Sequence, residues 1–518
     1  MSPERHRIGL AACACALVVA APATAAPRVA VVVQPPFPLE RYAAEGAVGL
    51  VVPGSGSTVT RAGALASLLR GRVESALVGG VPGGPAEIRL ARAPGTVTIH
   101  VALPPPGRTH NVVRYPIAIV GGGYHGLLRS SATRIPGLVS IADVAPTAVA
   151  LAAGQPPRIS SRRDPAAAAD AGRLDARLAA AHAVRVPARL AYTGLLLFAF
   201  VLAFLLRSRI WARAAVLLPP FALAASLALS AAGVYGTGAV VAVICAAAVV
   251  AVAVGRLGDV ATAALAVACL AAELVVLVAR PEVNALAAIG PHPDGGGRYF
   301  GVTNEVEAML LAPALFAAAV LGGAAVPAVG ALALVLVGWS RAGADGGGLL
   351  VFAAAFAVLW LRLRGGRLGV RRLVVVLAGV AVVGVALVGI DAATGGSSHV
   401  TTAVGGGPGS LLGDLGHRLH VSWAGATSSW PIVVQTLAPL VAWAVFLLSR
   451  PRHAVVDAML VGLAVSLVVN DTPQDAISTG AMCCGALWAW ARLERAPRPR
   501  AREVVTITPH PRPAGRTG

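Results

Sequence analysis

The chain contains no lysine; all 42 of its basic residues are arginine, set against only 23 acids. A formal charge of +19 in a soluble chain points to nucleic acid. No basic stripe interleaved with aromatics is present, however, and nucleic acid is set aside as a partner. Lysine is missing while Ala and Gly abound, as GC-rich coding produces. The arginines also gather in particular loops, as membrane topology requires. Cysteine is scarce: Cys13 and Cys15 fall in an N-terminal apolar stretch, and Cys245, Cys269, Cys483 and Cys484 fall in predicted spans. That distribution offers neither a disulfide framework nor a Cys-based zinc site. Charged residues make up only 13% of the chain, whereas 57% is hydrophobic and the mean hydropathy is +0.76. A polytopic membrane protein has this composition.

Residues 1–25 carry Arg5 and Arg7, an apolar run Ile8–Val19 and a small-residue site Ala23-Thr24-Ala25. They read as a secretory signal peptide, with an uncleaved anchor as the alternative. Residues 26–153 read as an extracytoplasmic α/β domain. Arg28–Val33, Ala47–Val52 and Ile117–Val120 are short β-branched runs punctuated by Gly and Pro, and Ala64–Leu69 is helical. Residues 154–188, rich in Pro, Arg and Ala, read as a partly helical linker.

Residues 189–493 form an all-α multi-span membrane domain. Apolar runs recur at 190–206, 214–233, 238–255, 260–279, 306–323, 325–339, 347–361, 373–391, 431–449, 454–470 and 476–491, giving about 11 transmembrane helices. Loop charges orient them. One set of loops and the tail hold Arg207, Arg209, Arg213, Arg256, Arg362, Arg364, Arg367, Arg371, Arg372, Arg450, Arg452 and Arg492. The other set holds only Arg280, Arg298, Arg341 and Arg418. The expected topology is a cell-membrane protein with the N-terminal domain outside and the basic tail, residues 494–518, disordered in the cytoplasm.

On that topology the polar segments 280–305, 339–348, 391–430 and 470–475 share the outer rim. Polar groups at membrane depth are costly and usually line a cavity, so one shared site is expected. In the first segment Asp294, Gly296, Arg298, Asn304 and Glu307 are candidate substrate-binding residues, and Glu305 is a candidate acid or base. Glycines allow close approach, Arg supplies a forked donor, and a helix N-terminus favours an anion. The competing reading of Asn304 and Glu307 is a capping box. Arg341 and Asp345 are candidates in the second segment, either as a mutual pair or with Arg341 on phosphate. In the third segment His417 and His420 share a helical face, which is more often a solvated interface than a metal pair. In the fourth, Asn470 is a binding candidate and Asp471 a second catalytic candidate, with helix capping as its alternative. Glu273 lies inside an apolar run and is functional by default. No metal site is assigned, and the cofactor is unknown.

Two resemblances add to this. Tyr115–Gly123, His125-Gly126 and Asp143-Val-Ala-Pro146-Thr147 resemble the C-terminal part of the alkaline-phosphatase/sulfatase superfamily. The resemblance implies a shortened α/β domain of that type. That superfamily uses two metals and a Ser or Thr nucleophile, for which this chain lacks the Asp and His pattern. Second, the blocks Gly296-Gly-Arg-Tyr-Phe-Gly301, Asn304-Glu305, Gly343-Ala-Asp-Gly-Gly-Gly348 and Asn470-Asp-Thr472 resemble those of a family of actinobacterial and related bacterial polytopic proteins. These pair an alkaline-phosphatase-like outer domain with a multi-span domain.

The resulting expectation is an outward-facing site acting on a lipid-linked or phosphate-bearing envelope substrate, such as a polyprenyl-phosphate sugar, by glycan transfer or ligation. The alternatives are a transporter or flippase of an anionic or lipid substrate, and a non-catalytic partner that recruits envelope proteins through its outer domain.

Overall fold

A computed structural model describes residues 28–73, 88, 96–295, 298–366, 369–376, 378–380, 382, 423, 427, 430–470 and 473–494. The signal-peptide and tail segments, the His417/His420 pair, Gly296 and Asp471 lie outside these residues.

The N-terminal region is α/β. Strands β1 (Val29–Gln34), β2 (Gly46–Val52), β4 (Val97–Ala102), β6 (Tyr115–Val120), β7 (Gly126–Ser130), β8 (Leu138–Ser140) and β9 (Ile159–Arg162) form one mixed sheet. Its order is β1-β4-β6-β2-β7-β9, with β8 also on β2. β1 runs parallel to β4, and β2 parallel to β7 and β8, while β6 is antiparallel to both β4 and β2. A separate pair, β3 (Thr58–Thr60) and β5 (Arg108–His110), is antiparallel. β2 is buried along its whole length, as a strand covered on both faces must be. Helices α1 (Glu40–Ala43), α2 (Arg61–Arg70) and α3 (Val144–Ala152) cover parts of the sheet. The Asp143-Val-Ala-Pro-Thr segment opens α3. Asp143 is buried, accepts a hydrogen bond from the Ser130 hydroxyl and lies 3.8 Å from Arg158. Thr147 accepts from the Ile159 amide at 3.0 Å, so this segment clips α3 to β7 and β9.

Residues 154–188 are not a linker. β9 closes the edge of the sheet, and α4 (Ala167–Leu205) runs unbroken from the α/β core into the helical part. Ala167, Ala171, Leu174 and Leu178 belong to the α/β core, whereas Val184, Ala188, Tyr192 and Leu196 belong to the helical core. At 1.5 Å per residue this helix is about 58 Å long. The stripe recurs every three or four residues, so one helix face serves both cores.

The remaining helices are α5 (Arg209–Ala232), α6 (Thr237–Gly255), α7 (Asp259–Ala279), α8 (Pro281–Ala285), α9 (Asn304–Leu321), α10 (Ala325–Gly338), α11 (Gly346–Leu363), α12 (Trp430–Leu448), α13 (Ala454–Val469) and α14 (Pro473–Glu494). Six described helices, α4–α7, α9 and α11, are long and apolar enough to cross a membrane. α10 and α13, expected as spans, have only 14 and 16 residues. α9 lies at the centre, against α5, α7, α10, α11, α13 and α14.

The two ends of the bundle differ. At one end Arg213 pairs with Asp259 at 2.6 Å, Arg362 and Arg452 converge on Asp457, and Arg209 donates to the Leu493 carbonyl. The other end receives the α/β region.

Candidate functional site

The junction is built on backbone. The Gly295 carbonyl accepts from the Gly56 amide at 2.9 Å and from Asn111 Nδ2 at 3.1 Å. The turn Pro53–Thr58 therefore has a docking role that its sequence did not announce. Ala285 and Leu286 enter the α/β core, and Tyr299 packs against it.

α4 supplies a row of nitrogen-bearing side chains to this junction. His182, Arg185 and Arg189 stand at i, i+3 and i+7, one side of a helix. Asp294 accepts from Arg185 and lies 2.6 Å from His182 Nδ1. Glu305 pairs with Arg189 at 2.5 Å. Sequence reading assigned none of the three α4 residues to the site; their spacing at the entry to an apolar helix was the available signal.

Burial alone raises the Asp294 carboxyl, but the Arg185 guanidinium outweighs it and holds the group below the ordinary carboxylate range. His292, two residues away, is held neutral by burial and by the Arg185 charge, its pKa pushed down from 6.5 to about 3. Its Nδ1 is buried and has no hydrogen-bond partner among the described residues. A base whose pKa is depressed in the fold takes up protons on unfolding. His292 thus stabilises the junction fully above about pH 6.5 and progressively less as pH falls toward 3. Asp294 acts in the same direction below the ordinary carboxylate pKa. Acidification across this window is expected to speed amide hydrogen exchange in α4 around residues 178–192. His292→Gln should flatten the upper part of that pH profile; an unchanged profile would remove His292 from the account.

The second cluster lies beneath. Arg298 donates to the Val302 carbonyl and lies 3.6 Å from Asp345. Asp345 thus pairs with Arg298 and not with Arg341, which is exposed. The turn geometry decides this: Val302 donates to the Gly343 carbonyl at 3.0 Å, which lays the Arg298 loop along residues 341–345. Glu307 does not close a capping box with Asn304. Thr303 occupies the N-cap of α9, and its hydroxyl accepts from the Val306 amide. Glu307 Oε2 instead accepts from Asn470 Nδ2 at 3.0 Å, and the same amide donates to Ser466 Oγ at 2.7 Å. Glu307, Asp345, Asn470 and Asn304 are all buried.

A third feature sits beside these. Arg134, from the α/β region, stacks on Phe300 with its guanidinium carbon 4.1 Å from the ring centroid. Burial, and then the neighbouring Arg341 charge, lower its pKa. Arg134 also holds φ +56°, a conformation uncommon for a residue with a side chain.

Among the described residues no three or more His, Cys, Asp or Glu are grouped to hold a metal ion. His125 is exposed on the surface, and Glu273 is buried within α7. No family model, curated protein or solved structure matches this chain. The fold and the site thus define a class only: an α/β region seated on a helical part with membrane-length apolar helices.

Proposed function

We propose that this chain is a multi-span membrane protein that holds a phosphate-bearing substrate, of the lipid-linked kind, at the junction between its two parts. The observation that carries the reading is a pair of arginines at the junction: Arg134, stacked on Phe300, and the exposed Arg341 of the turn along which the Phe300 loop lies. One comes from each part, and among the described residues neither has an acidic partner within 4.0 Å. Two arginines without an acidic partner leave positive charge for an anion, and guanidinium forks suit phosphate oxygens. The arginine-rich rim then faces the cytoplasm, the α/β region lies outside, and the short apolar helices complete a bundle of about eleven spans. The resemblance of residues 115–147 to the alkaline-phosphatase/sulfatase superfamily is in keeping with a domain that holds phosphate.

Arg298, expected as a phosphate donor, is committed to Asp345, and Glu305 is committed to Arg189. Group transfer would require the Glu305 pair to open, so binding is the step assigned. A transporter is the second reading. It is favoured by the two carboxylates buried among helix ends, where coupling sites of transporters are built.

The test uses full-length protein in detergent and a short-chain prenyl monophosphate as probe, followed by native mass spectrometry. Arg134→Gln and Arg341→Gln should each weaken binding about tenfold, a loss of about 1.5 kcal/mol per charged hydrogen bond. Arg280→Gln, which removes an exposed pair with Glu282 on the same rim, is the control. Wild-type binding in the Arg134/Arg341 double variant would overturn the proposal.

A further inference from the structure

We infer that the cleft between α4, α5 and α6 holds one anionic phospholipid, with an acyl chain along the cleft and the phosphate on Arg256. The inference does not rest on the phosphate reading above, because this cleft lies at the arginine-rich end of the bundle and the junction at the other.

Small residues make the cleft. Ala199 of α4, Ala214 of α5 and Ala251 of α6 are buried along its floor, and their short side chains leave about 370 Å³ between the three helices. Phe198 and Trp211, edge to face with ring centroids 5.9 Å apart, build one wall. Phe198 and Val249 are exposed, so the cleft opens on the outer surface of helices long and apolar enough to cross a membrane. The medium that meets such a surface is hydrocarbon.

The length of the cleft fits one leaflet. On α6 its lining runs from Cys245 to Arg256, eleven residues further on, which is about 16 Å at 1.5 Å per residue. Half of a hydrocarbon core of about 30 Å is about 15 Å. A partner's spanning helix would need about twice that length of apolar wall. The acyl chain of a lipid in one leaflet needs no more than is there.

The charge sits at the mouth. Arg256 caps the C-terminal end of α6 and is the charged residue in the lining of the cleft. A Cβ on Gly255 would lie 2.7 Å from the Ile210 carbonyl oxygen, so the end of α6 is pressed against the start of α5. That contact brings Arg256 and Trp211 to the same end, and Arg with Trp marks the level of lipid headgroups. The neighbouring arginines are taken. Arg213 pairs with Asp259 at 2.6 Å and donates to the Gly255 carbonyl at 3.0 Å, and Arg209 donates to the Leu493 carbonyl. Asp259, the nearest acid along the chain, is also held by Trp490 at 2.9 Å. Arg256 is exposed, and its side chain makes no hydrogen bond or ion pair among the described residues. A guanidinium at the end of an apolar cleft between spanning helices suits a lipid phosphate. A zwitterionic headgroup also carries phosphate, but its own ammonium competes for it.

The experiment strips full-length protein of lipid by detergent exchange. The protein is then titrated with phosphatidylglycerol or with phosphatidylcholine of the same chains, and bound lipid is counted by native mass spectrometry. Wild type should retain one phosphatidylglycerol and hold it roughly fivefold more tightly than phosphatidylcholine. Arg256→Gln should erase that preference. Ala248→Trp, which fills the cleft, should remove both lipids. Arg280→Gln, at the opposite end of the bundle, should change neither. The Arg256 side chain holds nothing else in place, so its variant keeps the test decisive if Ala248→Trp does not fold. Equal retention of the two lipids by wild type would overturn the inference, and so would an undiminished preference in Arg256→Gln. Dimers in place of bound lipid would also overturn it, by giving the cleft to a second copy of the chain.

Discussion

Asp294→Ala is expected to undo the seat of the α/β region on the helices. The Arg185 side chain is 9% exposed, and its Nε and Nη2 make no hydrogen bond among the described residues. Asp294 is the carboxylate that neutralises it. Removing one partner of a buried ion pair leaves an uncompensated charge and costs about 3–5 kcal/mol, more than the pair itself contributes. The loss falls on a junction whose other polar ties are a few hydrogen bonds, among them those to the Gly295 carbonyl. Amide exchange around residues 178–192 of α4 should rise by roughly a hundred- to a few thousandfold, at about 1.4 kcal/mol per factor of ten. Asp294→Leu combined with Arg185→Met should recover most of the loss, because the penalty belongs to the stranded charge and not to the missing attraction. Exchange within twofold of wild type in the single variant would show that Arg185 finds another anion. Recovery absent from the double variant would instead place the cost in packing. His182 lies 2.6 Å from the same carboxylate, so its contribution is removed along with that of Arg185.

Local chemistry decided which parts of this molecule its residues disclose. β1, β2 and β6 follow β-branched runs between Gly and Pro, and nine predicted apolar runs became α5–α7 and α9–α14 with ends shifted by a few residues. Polar residues at the ends of those runs are too costly to face lipid, so Asp294, Arg298, Glu305, Glu307, Asp345 and Asn470 gather near the junction. Their pairings were another matter. Whether Arg298 or Arg341 neutralises Asp345 depends on how two loops about forty residues apart lie against each other, and no spacing rule reaches that far. The role of α4 was hidden for a different reason. Ala167, Ala171 and Ala181 carry its buried stripe, but alanine also fills its other faces, so the contrast that marks an amphipathic helix is faint. The same dilution made residues 154–188 look like a linker. Residue content alone does not show that one helix serves two cores.

Gly301→Ala should be as damaging as any single methyl group added to this chain. Gly301 has φ +89°, which a side chain disfavours, and its Cβ would overlap the Gly343 carbonyl oxygen while lying 2.8 Å from the Gly343 carbonyl carbon and 3.2 Å from the Ala342 oxygen. All of these are backbone atoms, so no rotamer change relieves the clash. Neither side can retreat. The Gly301 carbonyl accepts from Asn284 Nδ2 at 2.9 Å, and Gly343 donates to Leu336 at 2.9 Å while Asp345 donates to Val337 at 3.0 Å. Conformational strain of about 1–3 kcal/mol and overpacking of a similar size together cost roughly 3 kcal/mol or more. The comparison variant is Gly233→Ala, where φ is +71° but a Cβ meets nothing within 4 Å. It carries the strain without the clash and should cost about 1 kcal/mol. Unfolding of a protein of this kind in detergent is best followed as a rate, through tryptophan fluorescence at fixed temperature. Gly301→Ala should shorten the lifetime far more than Gly233→Ala. Because the 341–345 turn must move to admit the methyl, it should also displace Asp345 from Arg298. Equal lifetimes for the two variants would mean that the Gly301 and Gly343 backbones are not in contact. The register between the Arg298 loop and the Asp345 turn would then be wrong, and with it the pairing of Arg298 with Asp345.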